Sequence, residues 1–489
     1  MNPNPRIHWP GFGLSMGFLV AAAFVLSSHR VVPKRPAVDK RPNIVVIVTD
    51  DQSIESLGCY GNKVIQTPHI DRLAAEGVKF TRNFSNSSSC SPNRSVILTG
   101  LHNHTNGMYG LTPPPHNFST FPTIVAFPTR LKQAGYATAL VGKYHVAPKS
   151  VYQFDQLSAS DARDHQQLTE TSRAFIQSLA RPGESPPFLL FYCSGDPHEG
   201  GGKVASSPFR PDRYGNREEG YAGIREIRYS PQQVIVPPYL PDTPETRAEL
   251  AQFYQSVSRL DQGVGKLVQV LKETGVYDNT IIFFTSDNGH ALPGVKATLY
   301  DAGIHLPLIV RSPFAKKRGI ENNAMVSFVD LAPTILDMAG VKTDSLTLHG
   351  RSFRAVLDTE NPAGWDEVYG SQTFHLPTWY YPRRMVRTTK FKLIRNTAYQ
   401  LDDPAARQYH QTWLGVVDKK GTHYGLRSLN DLIYHPEYEL FNVEADPNEL
   451  DNLYKKPGYE AVFAQLVKKL DAFQKRTIDP WAPDNLRKP

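Results

Sequence analysis

The sequence predicts an α/β domain built on a large, mostly parallel β-sheet flanked by helices, with a smaller α+β region after it. Apolar runs typical of buried strands alternate with helical patterns over the larger part of the chain. After about Trp365, Tyr-, Arg- and Pro-rich segments with short candidate strands replace that alternation. We therefore divide the 489 residues into a terminal segment, 1–40, an α/β domain, 41–365, and a C-terminal α+β subdomain, 366–489.

The strands of the main domain are expected where apolar, β-branched residues run without interruption, because a parallel strand covered by helices on both faces has no polar side. The first run, residues 43–49, reads NIVVIVT, and a later one, 280–285, reads TIIFFT. The same reasoning predicts strands at 137–141, 188–193 and 307–310.

Helices are expected where apolar residues recur at spacings of three and four. The longest candidate spans 243–274, although two glycines interrupt its pattern. Thr67 and Pro68 supply an N-cap and a first-turn proline for a helix that ends at Gly77. Further elements are predicted as helices at 127–134, 331–339 and 459–473 and a strand at 391–395.

The composition is that of an ordinary globular protein, with 40% hydrophobic and 21% charged residues. The net charge of +7 fits either an acidic substrate or a solvated surface of mixed sign. Zinc-finger spacing and a long basic helix are absent from the sequence, so nucleic acid is not an expected partner. The three cysteines, Cys59, Cys90 and Cys193, are too few for a disulfide scaffold, and whether Cys59 and Cys193 pair is left open.

The N-terminus has the features of an export signal. Arg6 and His8 precede an apolar stretch from 11 to 26, which is short for a membrane span of about 20 residues. An uncleaved anchor is the alternative. We expect residues 1–40 to be a signal peptide and linker, with no stable membrane insertion after cleavage. The protein would then be periplasmic or secreted in a bacterium and lysosomal in an animal.

Oxygen ligands follow two of the predicted strands. Asp50 and Asp51 come directly after strand 43–49, and Asp287 and Asn288 follow strand 280–285. Open α/β sheets place functional groups at the carboxyl ends of their strands. Carboxylate and amide oxygens suit Ca²⁺ or Mg²⁺ better than a soft metal. Each pair alone is also typical of an ordinary turn.

The most specific motif is residues 90–94, CSPNR, which fit the pattern Cys-x-Pro-x-Arg and are followed by LTG at 98–100. This run resembles the signature of the type I sulfatases, whose alkaline-phosphatase-like fold is the α/β class predicted above. The resemblance implies that a formylglycine-generating enzyme oxidises Cys90 to formylglycine during export. It also implies one Ca²⁺ per chain, with Mg²⁺ the less favoured ion, bound by Asp50, Asp51, Cys90, Asp287 and Asn288.

An aldehyde at position 90 has a chemical rationale. Its hydrate carries two hydroxyls on one carbon, so one hydroxyl can attack sulfur while the other later expels sulfate by reforming the carbonyl. Arg94, on the helix expected to begin here, would hold the hydrate with its fixed positive charge.

Four further residues match the family pattern. Lys143 and His145 follow strand 137–141, His198 follows strand 188–193, and Lys296 follows Asn288. The resemblance implies that Lys143 and His145 bind the formylglycine hydroxyls, and that His198 and Lys296 contact the sulfate and help to protonate the leaving group. Each residue alone is also typical of a surface lysine or a hydrogen-bonded histidine.

Within the sulfatases, the chain is most similar to the N-sulfoglucosamine sulfohydrolases, or sulfamidases. The similarity is carried by the segments GMYGL at 107–111, GKYHVAPKSVYQF at 142–154, 234–271, GSQ at 370–372 and YPRR at 381–384. It implies cleavage of the N-sulfate of a terminal glucosamine in heparan-type saccharides. Two departures exist: Lys296 stands where the sulfamidase pattern has arginine, and residues 372–381 match only partly.

Three alternatives follow. An O-sulfatase acting on the same sugars would use the same site. A phosphate or phosphonate ester hydrolase of the same superfamily is the second alternative, although its metal sites usually need more His and Asp ligands or a Thr or Ser nucleophile. A non-catalytic saccharide-binding protein is disfavoured by the intact set of Cys90, Arg94 and candidate metal ligands. The expected partners are a sulfated saccharide and the maturation enzyme, and the sequence leaves a homodimer open.

Overall fold

The structure is a computed structural model that describes residues 41–158, 161–180, 185–200, 212–407 and 411–486. The segment predicted as signal peptide and linker, 1–40, lies outside the described residues, and the boundaries at 40/41 and 365/366 stay predictions. No helix in the described ranges is long and apolar enough to cross a lipid bilayer.

Within the described residues, eight strands form one sheet in the order β4-β3-β5-β1-β6-β7-β2-β8. The strands are β1 (Asn43–Thr49), β2 (Val78–Phe84), β3 (Ala137–Gly142), β4 (Gln156–Ser158), β5 (Phe188–Cys193), β6 (Thr280–Ser286), β7 (Leu308–Arg311) and β8 (Ile320–Ser327). All neighbours pair in parallel except β7, which runs antiparallel to both β6 and β2. The predicted mostly parallel sheet is confirmed.

Helices cover both faces of this sheet. The α-helices of the described residues, those of the C-terminal region included, are α1 (Pro68–Ala75), α2 (Cys90–Thr99), α3 (Asn103–Asn106), α4 (Phe127–Gln133), α5 (His165–Ser178), α6 (Pro244–Glu273), α7 (Asp301–Ile304), α8 (Leu331–Met338), α9 (Gln411–Val417), α10 (Leu429–Ile433), α11 (Glu460–Arg476) and α12 (Pro483–Leu486). On one face, Val46 of β1 shares a buried cluster with Ile97 of α2. On the other, Val45 packs in a cluster with Leu260 and Val264 of α6. The central strands are therefore apolar on both sides.

The two glycines within α6 do not end the helix. A Cβ at Gly263 would lie 2.2 Å from Nδ1 of His165, and a Cβ at Gly265 would lie 2.6 Å from the ring of His69. Because no side chain fits at either position, α5 and α1 can pack directly against the backbone of α6.

The C-terminal region contains a four-stranded antiparallel sheet in the order β14-β11-β10-β9 and a two-stranded ribbon. Its strands are β9 (Glu367–Phe374), β10 (Tyr380–Thr388), β11 (Phe391–Asn396), β12 (His423–Tyr424), β13 (Arg427–Ser428) and β14 (Tyr438–Asn442). Leu466 and Phe473 of α11 pack on Leu393 and Leu440 of this sheet. The prediction of a smaller α+β region after the main domain is confirmed.

Candidate active site

The site begins where β1 and β6 end side by side. The two strands run parallel with Thr49 opposite Ser286, so the residues that follow them meet at one edge of the sheet. The backbone N–H of Asp51 donates to Oδ1 of Asp287 at 3.1 Å, and the N–H of Asp287 donates to the carbonyl of Thr49 at 3.0 Å. Asp51 has a φ of 61° and so turns its side chain out of the strand direction.

The first residue of α2, Cys90, faces these carboxylates. Its Sγ lies 3.7 Å from Oδ1 of Asp50 and 3.8 Å from Oδ1 of Asp51. Burial and the nearby carboxylate of Asp287 raise the pKa of the Cys90 thiol well above its ordinary value. An unmodified thiol here is therefore a poor source of thiolate.

Arg94 lies one turn further along α2 and is fully buried. Its Nε donates to Oδ2 of Asp287 at 2.8 Å, and its Nη1 donates to the carbonyl of Lys143 at 3.2 Å. Nη2 lies 3.9 Å from Oδ1 of Asp50 and makes no hydrogen bond. Burial opposes the charge of Arg94, but the Asp287 and Asp50 carboxylates outweigh burial and raise its pKa.

Two lysines neutralise the paired carboxylates. Nζ of Lys143 donates to Oδ2 of Asp50 at 2.5 Å, and Nζ of Lys296 donates to both oxygens of Asp51 at 2.8 and 2.7 Å. Burial alone would lower the pKa of each ammonium group. The carboxylate beside each lysine outweighs it, so both pKa values lie above the ordinary value.

Two histidines complete the set. Nε2 of His198 lies 3.5 Å from Oδ2 of Asp51, and its Nδ1 lies 2.7 Å from the carbonyl oxygen of Glu199. Burial lowers the pKa of His198, and the carboxylates of Asp51 and Asp50 oppose that shift. His145 has a φ of 51°, and its buried Nδ1 has no hydrogen-bond partner. Burial lowers the pKa of His145 strongly, with a further contribution from the charge of Lys143.

The donor set fits a hard divalent cation. Burial and the neighbouring Asp50 carboxylate raise the pKa of Asp287 to about 7, so a further negative charge here is unfavourable without more positive charge. Oδ1 of Asn288 is buried without a hydrogen-bond partner, although Nδ2 of the same side chain donates to Asp51 at 2.5 Å. A free amide oxygen beside crowded carboxylates is the arrangement that a calcium or magnesium ion would satisfy.

A separate geometric grouping adds one residue to the predicted ligands. Ligand atoms of Asp50, Asp51, Cys90 and His198 all lie within 4.8 Å of one another. The contacts above bring together the side chains predicted to act in catalysis and to bind the metal. Which of these side chains bind the ion stays a prediction.

Some residues beside the site carried no role in the sequence analysis. The Asp196 carboxylate accepts from Nε and Nη2 of Arg259, both at 2.7 Å, and its carbonyl accepts from the N–H of Asp50 at 3.1 Å. The only sequence signal for Asp196 was its position next to Pro197 and His198 after a buried strand.

The C-terminal region also reaches the loop before Cys90, because Oε1 of Gln372 accepts from the N–H of Ser88 at 3.2 Å.

His375 extends the same contact. Its Nδ1 lies 2.8 Å from Oγ of Ser89, the residue that immediately precedes Cys90. Its ring also lies 5.3 Å from that of Trp379, within the segment 372–381. This segment therefore forms part of the wall around position 90.

Two family models match the chain. The Sulfatase model matches residues 42–341, and a model described as N-sulphoglucosamine sulphohydrolase, C-terminal, matches residues 295–404. Human N-sulphoglucosamine sulphohydrolase is 36% identical over 469 residues, covering 91% of this chain and 92% of the human protein. N-acetylglucosamine-6-O-sulfatase of Bacteroides thetaiotaomicron is 28% identical over 529 residues, covering 90% of this chain and 87% of that protein.

Solved structures share the fold. A protein in complex with its substrate D-glucosamine-2-N,6-O-disulfate superposes with a TM-score of 0.67 at 23% identity, covering 92% of this chain and 100% of that one. The phosphonate monoester hydrolase of Agrobacterium radiobacter superposes with a TM-score of 0.63 at 19% identity, covering 90% of this chain and 97% of that one. At these identities the fold is shared, and the second structure shows that the fold also serves phosphonate chemistry.

Proposed function

Because this chain belongs to the sulfatase family, we propose that it is an exported N-sulfoglucosamine sulfohydrolase that removes the N-sulfate from terminal glucosamine in heparan-type saccharides. One observation carries the choice of an N-sulfate: the C-terminal model of N-sulphoglucosamine sulphohydrolases matches residues 295–404. That range includes Lys296, which binds Asp51, and the segment 372–381 beside position 90.

The proposed cation is one Ca²⁺, held by Asp50, Asp51, Asp287 and Asn288 together with residue 90. The unpartnered Oδ1 of Asn288 and the raised pKa of Asp287, to about 7 through burial and the Asp50 charge, support this ligand set. When bound, such an ion would stabilise negative charge on the sulfate oxygens.

The proposed nucleophile is the hydrate of formylglycine, made from Cys90 by a formylglycine-generating enzyme, in which one hydroxyl attacks sulfur and the other allows sulfate to be expelled. Its place at the start of α2 supports this role, since position 90 faces Asp50 and Asp51. Nη2 of Arg94 keeps an uncommitted N–H toward the same space. We propose that Arg94 and the lone Nδ1 of His145 orient the hydroxyls at position 90.

Lys296 is proposed to stabilise the charge that spreads over the sulfate oxygens in the transition state, and Lys143 to bind the hydroxyls at position 90 together with His145. Both ammonium groups are fixed by carboxylates before substrate arrives, so little reorganisation is needed when the charge develops. Their raised pKa values, which the carboxylates produce against burial, keep both lysines cationic near neutral pH.

The leaving nitrogen of a sulfamate needs a proton, because an amide anion is a very poor leaving group. His198 is proposed to supply it. A carbonyl oxygen can only accept, so the contact of Nδ1 with Glu199 requires a hydrogen on Nδ1. Nε2 is then the atom that faces Asp51 and the substrate space. We propose that Nε2 takes up a second proton, which the Asp51 carboxylate stabilises, and that the resulting imidazolium gives this proton to the leaving nitrogen as the S–N bond breaks.

The test is sulfate release by the chain co-expressed with a formylglycine-generating enzyme. Glucosamine N-sulfate, glucosamine 6-O-sulfate and a uronate 2-O-sulfate would be compared, with Cys90→Ala as the matched control. Release from the N-sulfate alone, lost in the control, is the expected result. Release from an O-sulfate alone would keep the mechanism and replace the substrate. The absence of release from all three, with the aldehyde confirmed at position 90 by mass, would reject the proposed substrate class.

The second candidate is an O-sulfatase acting on the same sugars. Lys296 favours it, because the sulfamidase pattern has arginine at that position. The similarity to the N-acetylglucosamine-6-O-sulfatase, at 28% identity, also supports it. The 6-O-sulfate in the panel above separates the two candidates directly.

A further inference from the structure

The loop after β5 that carries His198 is held by a buried carboxylate. The side chain of Asp196 is fully buried. Its carboxylate accepts hydrogen bonds from Arg259, from Nε2 of His165 at 3.1 Å and from Oγ of Ser256 at 3.1 Å. Arg163 adds Nη1 to the same carboxylate at 3.1 Å. Residue 196 is thus fixed from α5 and α6 at once.

Arg163 differs from the other partners of Asp196 because it also binds the backbone of His198 and Glu199. Its Nη2 donates to the carbonyl of His198 at 2.9 Å and to the carbonyl of Glu199 at 3.0 Å. One guanidinium group therefore spans the loop from residue 196 to residue 199. The side chain of Arg163 is only 12% exposed, so these bonds are sheltered from water.

The carbonyl of Glu199 is the shared acceptor in this arrangement. It accepts from Nη2 of Arg163 and also lies 2.7 Å from Nδ1 of His198. The position of that oxygen decides which nitrogen of His198 is held by the loop and which faces Asp51. A group that fixes the carbonyl therefore fixes the tautomer and the direction of the imidazole.

We propose that Arg163 is a positioning residue for His198: by binding the carbonyls of His198 and Glu199, it directs Nε2 of His198 into the active site. Arg163 itself contacts neither Asp50 nor Asp51 among the interactions of the described residues, and it acts through the histidine. The inference rests on the proposed function in one respect, namely that His198 serves as the acid.

The kinetic test is a double-mutant cycle on the matured enzyme with glucosamine N-sulfate. Arg163→Ala is expected to lower kcat by about 10- to 100-fold, a part of what a general acid contributes, with KM changed less than about threefold. In a His198→Ala background the same change is expected to alter kcat less than about twofold. Arg163→Lys, which keeps a cation and can reach one carbonyl, is expected to recover part of the loss. Arg173→Ala, which lies on α5 and pairs with Glu170 and Glu273 at the surface, is the matched control.

The spectroscopic test needs no turnover. In protein labelled with ¹⁵N-histidine, the His198 signals are assigned by their loss in His198→Ala, and their shifts report the tautomer. Wild type and Arg173→Ala should show a hydrogen on Nδ1, whereas Arg163→Ala should show a mixture of tautomers. Thermal unfolding identifies variants that fail to fold, in which case Arg163→Lys takes the place of Arg163→Ala.

Each outcome decides the question. Equal losses of kcat in the wild-type and His198→Ala backgrounds, or an unchanged tautomer in folded Arg163→Ala, would overturn the positioning role. A wild-type enzyme that cleaves none of the sulfated sugars would defeat the proposed function, while the ¹⁵N signals would still decide the positioning of His198.

Discussion

Nε of Arg94 lies 2.8 Å from Oδ2 of Asp287, and both side chains are almost completely buried. This pair ties the first turns of α2 to the end of β6, which is why position 90 and the candidate cation site keep a fixed distance. A buried ion pair of this kind stabilises little as a pair, but the loss of one member leaves an uncompensated charge.

Arg94→Leu is therefore expected to lower the free energy of unfolding by about 3–5 kcal/mol, because Asp287 loses the buried cation that binds it and Asp50 keeps only Lys143. Urea unfolding in the presence of a chelator measures the change without a contribution from bound metal. Arg72→Leu removes an exposed pair with Glu76 and is expected to leave the free energy of unfolding almost unchanged, because water and salt screen that pair. Similar losses in the two variants would contradict the assigned role of the buried pair.

Lys296 distinguishes charge from geometry at the site. It binds both oxygens of Asp51, a pattern that a guanidinium group can also make. Lys296→Arg is expected to keep sulfate release within about tenfold of wild type, while Lys296→Met is expected to lose about 10²- to 10³-fold in kcat. Lys468→Met, on the exposed side of α11, is the control. Equal activities of the Arg and Met variants would show that the charge at position 296 is not used.

Calcium is expected to raise the thermal unfolding midpoint of chelator-treated protein, and magnesium to raise it less. A ligand that binds only the folded state adds about 2.7 kcal/mol at one hundred times its Kd. Asn288→Ala should abolish most of the shift, because it removes the unpartnered Oδ1 from the ligand set. Asp278→Asn, at a fully exposed carboxylate, should leave it intact. A calcium shift that Asn288→Ala does not reduce would place the ion elsewhere.

Two buried histidines and a half-buried one predict acid sensitivity. His102, His104 and His349 lie together, with ring centroids 5.4 Å apart for the first pair and 5.5 Å apart for His102 and His349. Burial lowers the pKa of His104 to about 3 and that of His349 to about 4, and it lowers the pKa of His102 well below its ordinary value.

These histidines stay neutral in the folded protein, while the unfolded chain binds protons on them below about pH 6.5. Stability from this cluster is therefore complete above pH 6.5 and is lost as the pH falls toward 4, at about 2 kcal/mol per histidine between pH 6.5 and 5. Urea unfolding at pH 7 and pH 5 measures the difference. His104→Gln should reduce it and His423→Gln, at an exposed position, should not; an identical pH dependence in both variants would exclude the cluster as its source.

The central strands were predictable because they are buried on both faces. The runs at β1, β5 and β6 are apolar apart from polar residues at or near their ends, and each is fully buried in the structure. The strand β2 was not predicted, because Lys79, Thr81 and Arg82 interrupt its apolar residues and are partly exposed. The helix α5 was also not predicted, since Thr169 and Ser172 occupy part of its buried face and weaken its apolar periodicity. The antiparallel direction of β7 could not be predicted, because so short an apolar run does not indicate the direction of the strand in the sheet.

The site was predictable where its residues follow strands or belong to the signature of α2. The structure brings Asp50, Asp51, Cys90 and Arg94 together as that reasoning expected. The contacts of Asp196 with Arg163 and Arg259 were not predictable, because they depend on how α5 and α6 pack against the sheet. The same is true of Gln372 and His375, which reach the loop before Cys90 from almost 300 positions away.

The contact of Gln372 and His375 with the loop before Cys90 restricts when Cys90 can be oxidised. Cys90 is 1% exposed, and the residues just before it are bonded to Gln372 and His375, which are translated much later. An enzyme that must reach the thiol has access only until the C-terminal region docks. The proposed oxidation of Cys90 must therefore take place before folding is complete. A chain that folds first keeps a thiol at position 90 for as long as it stays native.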